Sequence, residues 1–401
     1  MNILSGLRIV EGAAFIAAPM CGMTLAQLGA DVIRFDQIGG GIDYKRWPLT
    51  AEGNSIYWAE MNKGKRSIAV DLRSEQGRDI VSSLICADDD GAGIFSTNLP
   101  ARGWLSYEQL SLQRPDLIAH EIVGDRHGGT ALDYTVNAKV GFPYITGPED
   151  DERPVNHVLP AWDISTAYLA GLSILAAERH RRLTGQGQRI KLALADVALA
   201  AVGHLGLLGE VHVNDSERAR HGNYVFGALG RDFTTEDGRR IMVIAITPKQ
   251  WRSLLDVTNL TEAAAGLGER MQLDLSDEGN RFEAREQICA LLEPWVAARR
   301  YADIAELFDA AGICWEKYQS LGELARTDPD ASEDNPMFHA IEQPDIGTYP
   351  VPGPAMQLSG FEREAPAPAP RVGQHTDQIL SDILGLDDHH IGRLHDDGVV
   401  A

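Results

Sequence analysis

Short apolar runs alternate with amphipathic stretches through the first 125 residues. Arg8–Glu11, Asp31–Phe35, Ser67–Asp71, Gly93–Thr97 and Leu117–Val123 read as buried strands, each brief and bounded by polar or turn residues. Pro19–Leu28 has helical spacing and is stopped by Gly29. Glu75–Cys86 is a second helix with Ser74 as its N-cap, and Ser106-Tyr107-Glu108-Gln109 fits a capping box that opens a third. Strand and helix in alternation predict an α/β fold, a parallel sheet with helices on both faces. Ligands of such sheets bind at the carboxyl ends of the strands. The loops after Glu11, Asp36, Asp71 and Asn98 are therefore the expected ligand wall.

Residues 167–208 read as helix, apart from a strand at Arg189–Leu194. Beyond Arg220 the pattern changes. Arg231–Phe233 and Arg240–Ile246 flank Glu236-Asp237-Gly238, a hairpin signal. Thr247–Arg300 is then mainly amphipathic helix, so a smaller domain is expected over 222–310. Pro-rich segments at 350–354 and 365–370 read as an extended return path, and His375–Leu394 as helix.

A length of 401 residues suits two domains. The net charge of −22 argues against nucleic acid and anionic membranes as partners. A polyanionic ligand would need a local cationic cluster, such as Lys45-Arg46, or Lys63-Gly64-Lys65-Arg66 with Arg73; each also reads as a solvated loop. No signal peptide is visible, and the longest apolar run, Tyr168–Ala177, is too short to span a bilayer. Four scattered cysteines make no zinc spacing, which points to a reduced cytoplasm and no metal site. Gly39-Gly40-Gly41 lacks the GxGxxG spacing of a dinucleotide site.

The most informative residue is Asp163, in Leu159-Pro160-Ala161-Trp162-Asp163, just before the helical stretch Ala167–Arg182. A carboxylate at a helix start meets unpaired N–H groups and the positive end of the helix dipole. It can be an N-cap or, kept ionised, a nucleophile. The segment alone leaves both open.

Five further segments run in order along the chain: Gly6-Leu7-Arg8-Ile9-Val10-Glu11, Leu28–Arg34, Asn62-Lys63-Gly64-Lys65-Arg66-Ser67, Thr184–Gln188 and Pro370–Thr376. Together they resemble the family III (CaiB/BaiF-type) CoA transferases. The resemblance implies a large Rossmann-like domain built from 1–221 and 311–401, a small α+β domain at 222–310, and an interlocked homodimer. It implies that Asp163 attacks an acyl-CoA thioester, with coenzyme A present as part of the substrate and no permanently bound cofactor. The family's CoA-binding loops match Ile16 and Ala17, the Val70–Arg73 segment with Asp71, Leu72 and Arg73, then Asn98, Leu99 and Pro100, and Ala131–Tyr134; Arg73 and Arg102 are expected on phosphates.

The loops 39–48, 100–107, 156–163 and 334–338 resemble more narrowly the branch acting on mesaconyl-CoA. That implies CoA transfer between the C1 and C4 carboxyls of one mesaconate, with Arg46, His157, Asn223 and Tyr224 as candidate substrate contacts. The alternative is an intermolecular transferase that uses a second small diacid; a CoA-binding protein with Asp163 as a mere cap is a third reading. The racemase branch needs a histidine where this chain has Leu132, which cannot move a proton. The formyl-CoA branch has a glycine run where Gly222–Gly230 here includes Tyr224 and Phe226, a wall better suited to a branched C5 diacid.

Overall fold

A computed structural model describes residues 2–401. The chain divides into two compact units. One takes the residues up to Val140, Val158–Gly209 and Asp328–Ala401; the other takes Gly141–His157 and Glu210–Thr327.

The first unit is built on a six-stranded sheet: β1 (Arg8–Gly12), β2 (Asp31–Asp36), β3 (Arg66–Ala69), β4 (Ile94–Thr97), β5 (Ile118–Val123) and β6 (Gln188–Ala193). The order is β3-β2-β1-β4-β5-β6 and every pairing is parallel. The order reverses between β1 and β4, which opens a crevice at their carboxyl ends. All five strands expected in the first 125 residues form. The run read at Arg189–Leu194 supplies the sixth.

The helices up to the middle of the chain are α1 (Ala17–Gln27), α2 (Ile56–Met61), α3 (Glu75–Ile85), α4 (Tyr107–Gln113), α5 (Asp133–Lys139), the short α6 (Phe142–Ile145) of the other unit, α7 (Ala161–Thr184) and α8 (Leu194–His204). Alternation along the strands divides the burial. Val10, Ile33, Phe35 and Phe95 pack with α3 and with the C-terminal helices Thr376–Leu384 and Asp388–Asp396. Ile9, Val32, Ile94 and Ile118 pack under α1 and α7, where Ala167, Ala170 and Ile174 give α7 a small, buried face. Gly185 ends α7 in the left-handed region, φ +72°.

Ser74 caps α3 as expected, its hydroxyl accepting the Gly77 N–H at 2.9 Å. Ser106 stands at the start of α4 but makes no capping bond. Its hydroxyl donates instead to the Gly103 carbonyl at 2.8 Å, because the 3₁₀ turn Gly103–Leu105 offers that acceptor first. Part of the extended return path is a hairpin, β10 (Phe338–Gln343) with β11 (Gly347–Pro352), counted after the three strands of the second unit.

The second unit carries the antiparallel sheet β7 (Leu229–Thr234), β8 (Arg240–Ala245), β9 (Cys314–Lys317), with helices between residues 248 and 311 closing its own core. It is larger than the 222–310 expected. β9 pairs with β8 across some seventy intervening residues, a non-local pairing that hydropathy does not mark, so the unit runs on past 310. No single helix among the described residues is long and apolar enough to cross a membrane.

Candidate active site

At the crevice, the loop after β1 is tied to the loop after β4. Asn98 Oδ1 accepts the Ala14 N–H at 2.9 Å and Nδ2 donates to the Ala14 carbonyl at 2.7 Å. The carboxamide expected to meet CoA thus first holds the β1 loop in place. Phe15, the next residue, has φ +64°, a left-handed conformation costly for a bulky side chain. Asp43 stabilises it: Oδ2 accepts the Phe15 N–H at 3.1 Å while Oδ1 accepts Arg34 Nη2 at 2.9 Å.

The other residues expected to bind CoA sit around the same strand ends. Ile16 is the N-cap residue of α1 and Ala17 its buried first residue. After β3, Asp71 Oδ1 accepts the Arg73 N–H at 3.0 Å, Leu72 packs on the sheet core, and the Arg73 side chain is exposed. After β4, Leu99 and Arg102 are exposed. Two exposed arginines therefore lie in the loops that follow β3 and β4.

Asp163 is the third residue of α7, and Pro160 is the N-cap residue. The cap reading is overturned: the Asp163 carboxylate makes no capping bond. Asp133, the first residue of α5, does that work. Its Oδ2 accepts the N–H of Trp162 at 2.7 Å and of Asp163 itself at 3.0 Å. Asp163 is left as a half-buried carboxylate. Burial raises its pKa to about 6, the Asp133 charge adds to the rise, and Arg46 opposes it. At neutral pH such a group is mostly ionised yet more basic than an ordinary aspartate, which suits a nucleophile.

Arg46 follows the Gly39–Gly41 turn. Its guanidinium lies 5.0 Å from the Phe15 ring centroid and 5.5 Å from that of Tyr57 on α2, a cation held between two aromatic faces. The Tyr57 hydroxyl is pushed up to about 12, chiefly by burial, and feels Arg46, Asp43 and Asp163. It stays protonated, a potential hydrogen-bond donor near Asp163. The structure thus brings Arg46 and Asp163 together and adds Tyr57, Phe15 and Asp133, which the sequence reading did not single out. Asp133 lies within the Ala131–Tyr134 segment expected to meet CoA but was given no role of its own. A further local signal is Asp133 and Asn137 at i, i+4, one helix face with two acceptors, and Asn137 Oδ1 takes the Trp162 indole N–H at 3.2 Å.

His157, Asn223 and Tyr224 belong to the second unit. Asn223 Nδ2 donates to Asp232 Oδ1 at 3.0 Å, and the Tyr224 hydroxyl accepts Arg231 Nη1 at 3.2 Å. Both have structural partners within their own unit. No group of three or more His, Cys, Asp or Glu among the described residues is arranged for a metal ion.

The model of CoA-transferase family III matches residues 4–376. The chain belongs to that family. It is 55% identical over 401 residues to a protein of Chloroflexus aurantiacus described as 2-methylfumaryl-CoA isomerase, covering 100% of this chain and 98% of that one. It is 28% identical to the human succinyl-CoA:glutarate CoA-transferase, covering 99% of this chain and 90% of that one. Among solved structures, a CaiB/BaiF family protein from Brucella suis superposes with a TM-score of 0.77 at 24% identity, over 96% of this chain and 100% of that one. Membership makes the chain a CoA-transfer enzyme, and the solved structure shares its fold.

Proposed function

We propose that the protein isomerises mesaconyl-CoA (2-methylfumaryl-CoA), moving CoA from the C1 to the C4 carboxyl of one bound diacid through Asp163. The observation that carries this reading is the uncapped Asp163 carboxylate beside Arg46. The 55% identical relative supports the choice of substrate. Asp163 attacks the C1 thioester carbonyl, the C–S bond breaks, and CoA leaves as thiolate with a mixed anhydride behind it. The thiolate attacks the aspartyl carbonyl, which expels free mesaconate and forms an aspartyl-CoA thioester. The C4 carboxylate then attacks that thioester and expels thiolate. Thiolate attack at C4 completes transfer and restores the Asp163 carboxylate. No proton is gained or lost, and each acyl transfer is easier than direct exchange.

Arg46 holds the carboxylate not under attack, so the diacid stays bound between the two halves of the cycle. Arg73 and Arg102 meet the phosphates of CoA, and Ile16, Ala17, Asp71, Leu72, Asn98 and Leu99 form the surrounding wall. His157, Asn223 and Tyr224 remain the further candidates for contacts to the diacid. The working molecule in this reading is a homodimer, supported by the exposed apolar side chains Tyr168 and Leu172 on α7 and Leu205 just beyond α8.

The test is incubation of purified protein with mesaconyl-C1-CoA alone, the two esters being separated by chromatography. Conversion to the C4 ester, with no incorporation of added labelled mesaconate, is the expected result. Dependence on a second diacid would sink the intramolecular reading. Arg46→Leu is expected to raise KM for the diacid-bearing ester roughly tenfold to a hundredfold, the weight of one charge-assisted contact. It should also release free mesaconate during turnover, detectable as label exchange; unchanged KM and no exchange would remove Arg46 from the substrate site.

A further inference from the structure

Asp133 stands out among the buried charges because its partners are backbone groups of another helix. It is 3% exposed. One oxygen takes the N–H groups of Trp162 and Asp163, at 2.7 and 3.0 Å. The other, Oδ1, is buried with no hydrogen-bond partner. Its place is fixed by its own helix, since it opens α5, where the Thr135 hydroxyl accepts the Leu132 N–H at 3.0 Å. One turn later Asn137 receives the Trp162 indole N–H. α5 therefore clasps the first turn of α7 at two points, backbone and side chain.

We propose that Asp133 is a positioning residue for the nucleophile: it occupies the N–H groups that open α7, so that the Asp163 carboxylate stays uncapped and faces a second negative charge.

The proposal rests on the reading of Asp163 as nucleophile and explains how that residue escapes capping. An acidic residue in the first turn is drawn to free N–H groups and the helix dipole, and both lower its basicity. Here those donors are already taken. The groups facing Asp163 are Asp133 from α5, Arg46 from the loop after β2 and Tyr57 from α2. Asp133 is the one that disfavours its ionised form. Acylation neutralises Asp163 in both the anhydride and the thioester, so repulsion present in the free enzyme is relieved in each covalent intermediate. Asp133 thereby favours acylation without touching substrate.

Asp133→Asn in the full chain separates charge from scaffold. The amide oxygen can still accept both N–H groups, so the circular dichroism spectrum and thermal midpoint should change little. The acidic limb of the pH profile of kcat/KM should move down by roughly half a unit to one unit, as expected for loss of one nearby like charge. A second readout needs no turnover: labelling of Asp163 by a carbodiimide and an amine, followed by peptide mass spectrometry. This reagent attacks protonated carboxyls, so the pH of half-labelling should fall in the variant. Should Asp133→Asn fail to fold, Asp133→Gln keeps an uncharged accepting oxygen on a side chain long enough to reach the α7 N–H groups and is read the same way.

A labelling curve and acidic limb that superpose on wild type in a folded variant would overturn the proposal. Retained turnover in Asp163→Asn would instead defeat the nucleophile reading, whatever the Asp133 variants do. The two failures are thus distinguishable.

Discussion

Asp163→Asn should abolish CoA transfer and leave the fold intact. The amide has no free charge to attack a thioester, so the fall in kcat is expected to be at least roughly a thousandfold, in the range seen when a covalent nucleophile is removed. Stability should not fall with it. The wild-type carboxylate makes no capping bond, and the capping oxygen belongs to Asp133. The variant also removes a like charge, so its thermal midpoint should equal or exceed that of wild type. Loss of activity together with a clear loss of stability would restore the cap reading; retained activity would end the covalent mechanism.

The same geometry sets an unusual pH relation. Because the folded pKa of Asp163 is raised to about 6, chiefly by burial, the folded state binds a proton more tightly than the unfolded chain. Between about pH 6 and the ordinary aspartate pKa near 4, this group therefore adds stability as pH falls. Activity moves the other way, since protonation removes the nucleophile. In wild type the rate should fall below about pH 6, and the stability contribution of this residue should rise over the same interval. In Asp163→Asn that stability component should be missing from the pH dependence of unfolding.

The strands were legible because each is a short apolar run whose neighbours in the sheet need no special chemistry. The helix starts were legible only where the cap is local. Ser74 was readable from the residues beside it. The cap on α7 was not, because the capping carboxylate comes from Asp133, thirty residues earlier on another helix. Asp163 was marked as a candidate by position and by family resemblance, while the observation that removes it from the capping role is a tertiary contact. Arg46 is similar. Its cluster with Phe15 and Tyr57 joins three loop or helix segments, and no spacing in the sequence brings them together. The basic run Lys63-Gly64-Lys65-Arg66 shows the opposite error. It read as a surface cluster able to meet an anion, yet Lys63 and Lys65 are buried.

Lys65→Met should be the most destabilising of the single substitutions considered. Lys65 spends its donors on Glu11 Oε1 at 2.7 Å, the Pro19 carbonyl at 2.8 Å and Asn62 Oδ1 at 3.0 Å. Asn62 Oδ1 also accepts Arg34 Nη1 at 3.1 Å, and Arg34 forks onto Asp36 and reaches Asp43. The result is one buried ionic network under the carboxyl ends of β1 and β2. Neither the Lys65 nor the Glu11 side chain reaches solvent. Met fills much of the lysine volume but leaves the buried Glu11 carboxyl, whose pKa burial already pushes up, without its nearest cation. Breaking a buried pair in this way costs about 3–5 kcal/mol, readable as a drop in the urea unfolding midpoint at an unchanged slope. Glu11→Leu combined with Lys65→Met should recover most of that loss, because no unpaired charge then remains. A double variant as unstable as the single would show that packing, not charge, sets the cost. The network also reaches the proposed site: Asp43 links Arg34 to the Phe15 N–H, and the Phe15 ring packs on Arg46. Folded Lys65→Met should therefore show a raised KM with Asp163 still reactive toward carbodiimide. A variant within about 1 kcal/mol of wild type, the range of an exposed pair, would mean that the strand-end network does not hold the β1 loop and its arginine in place.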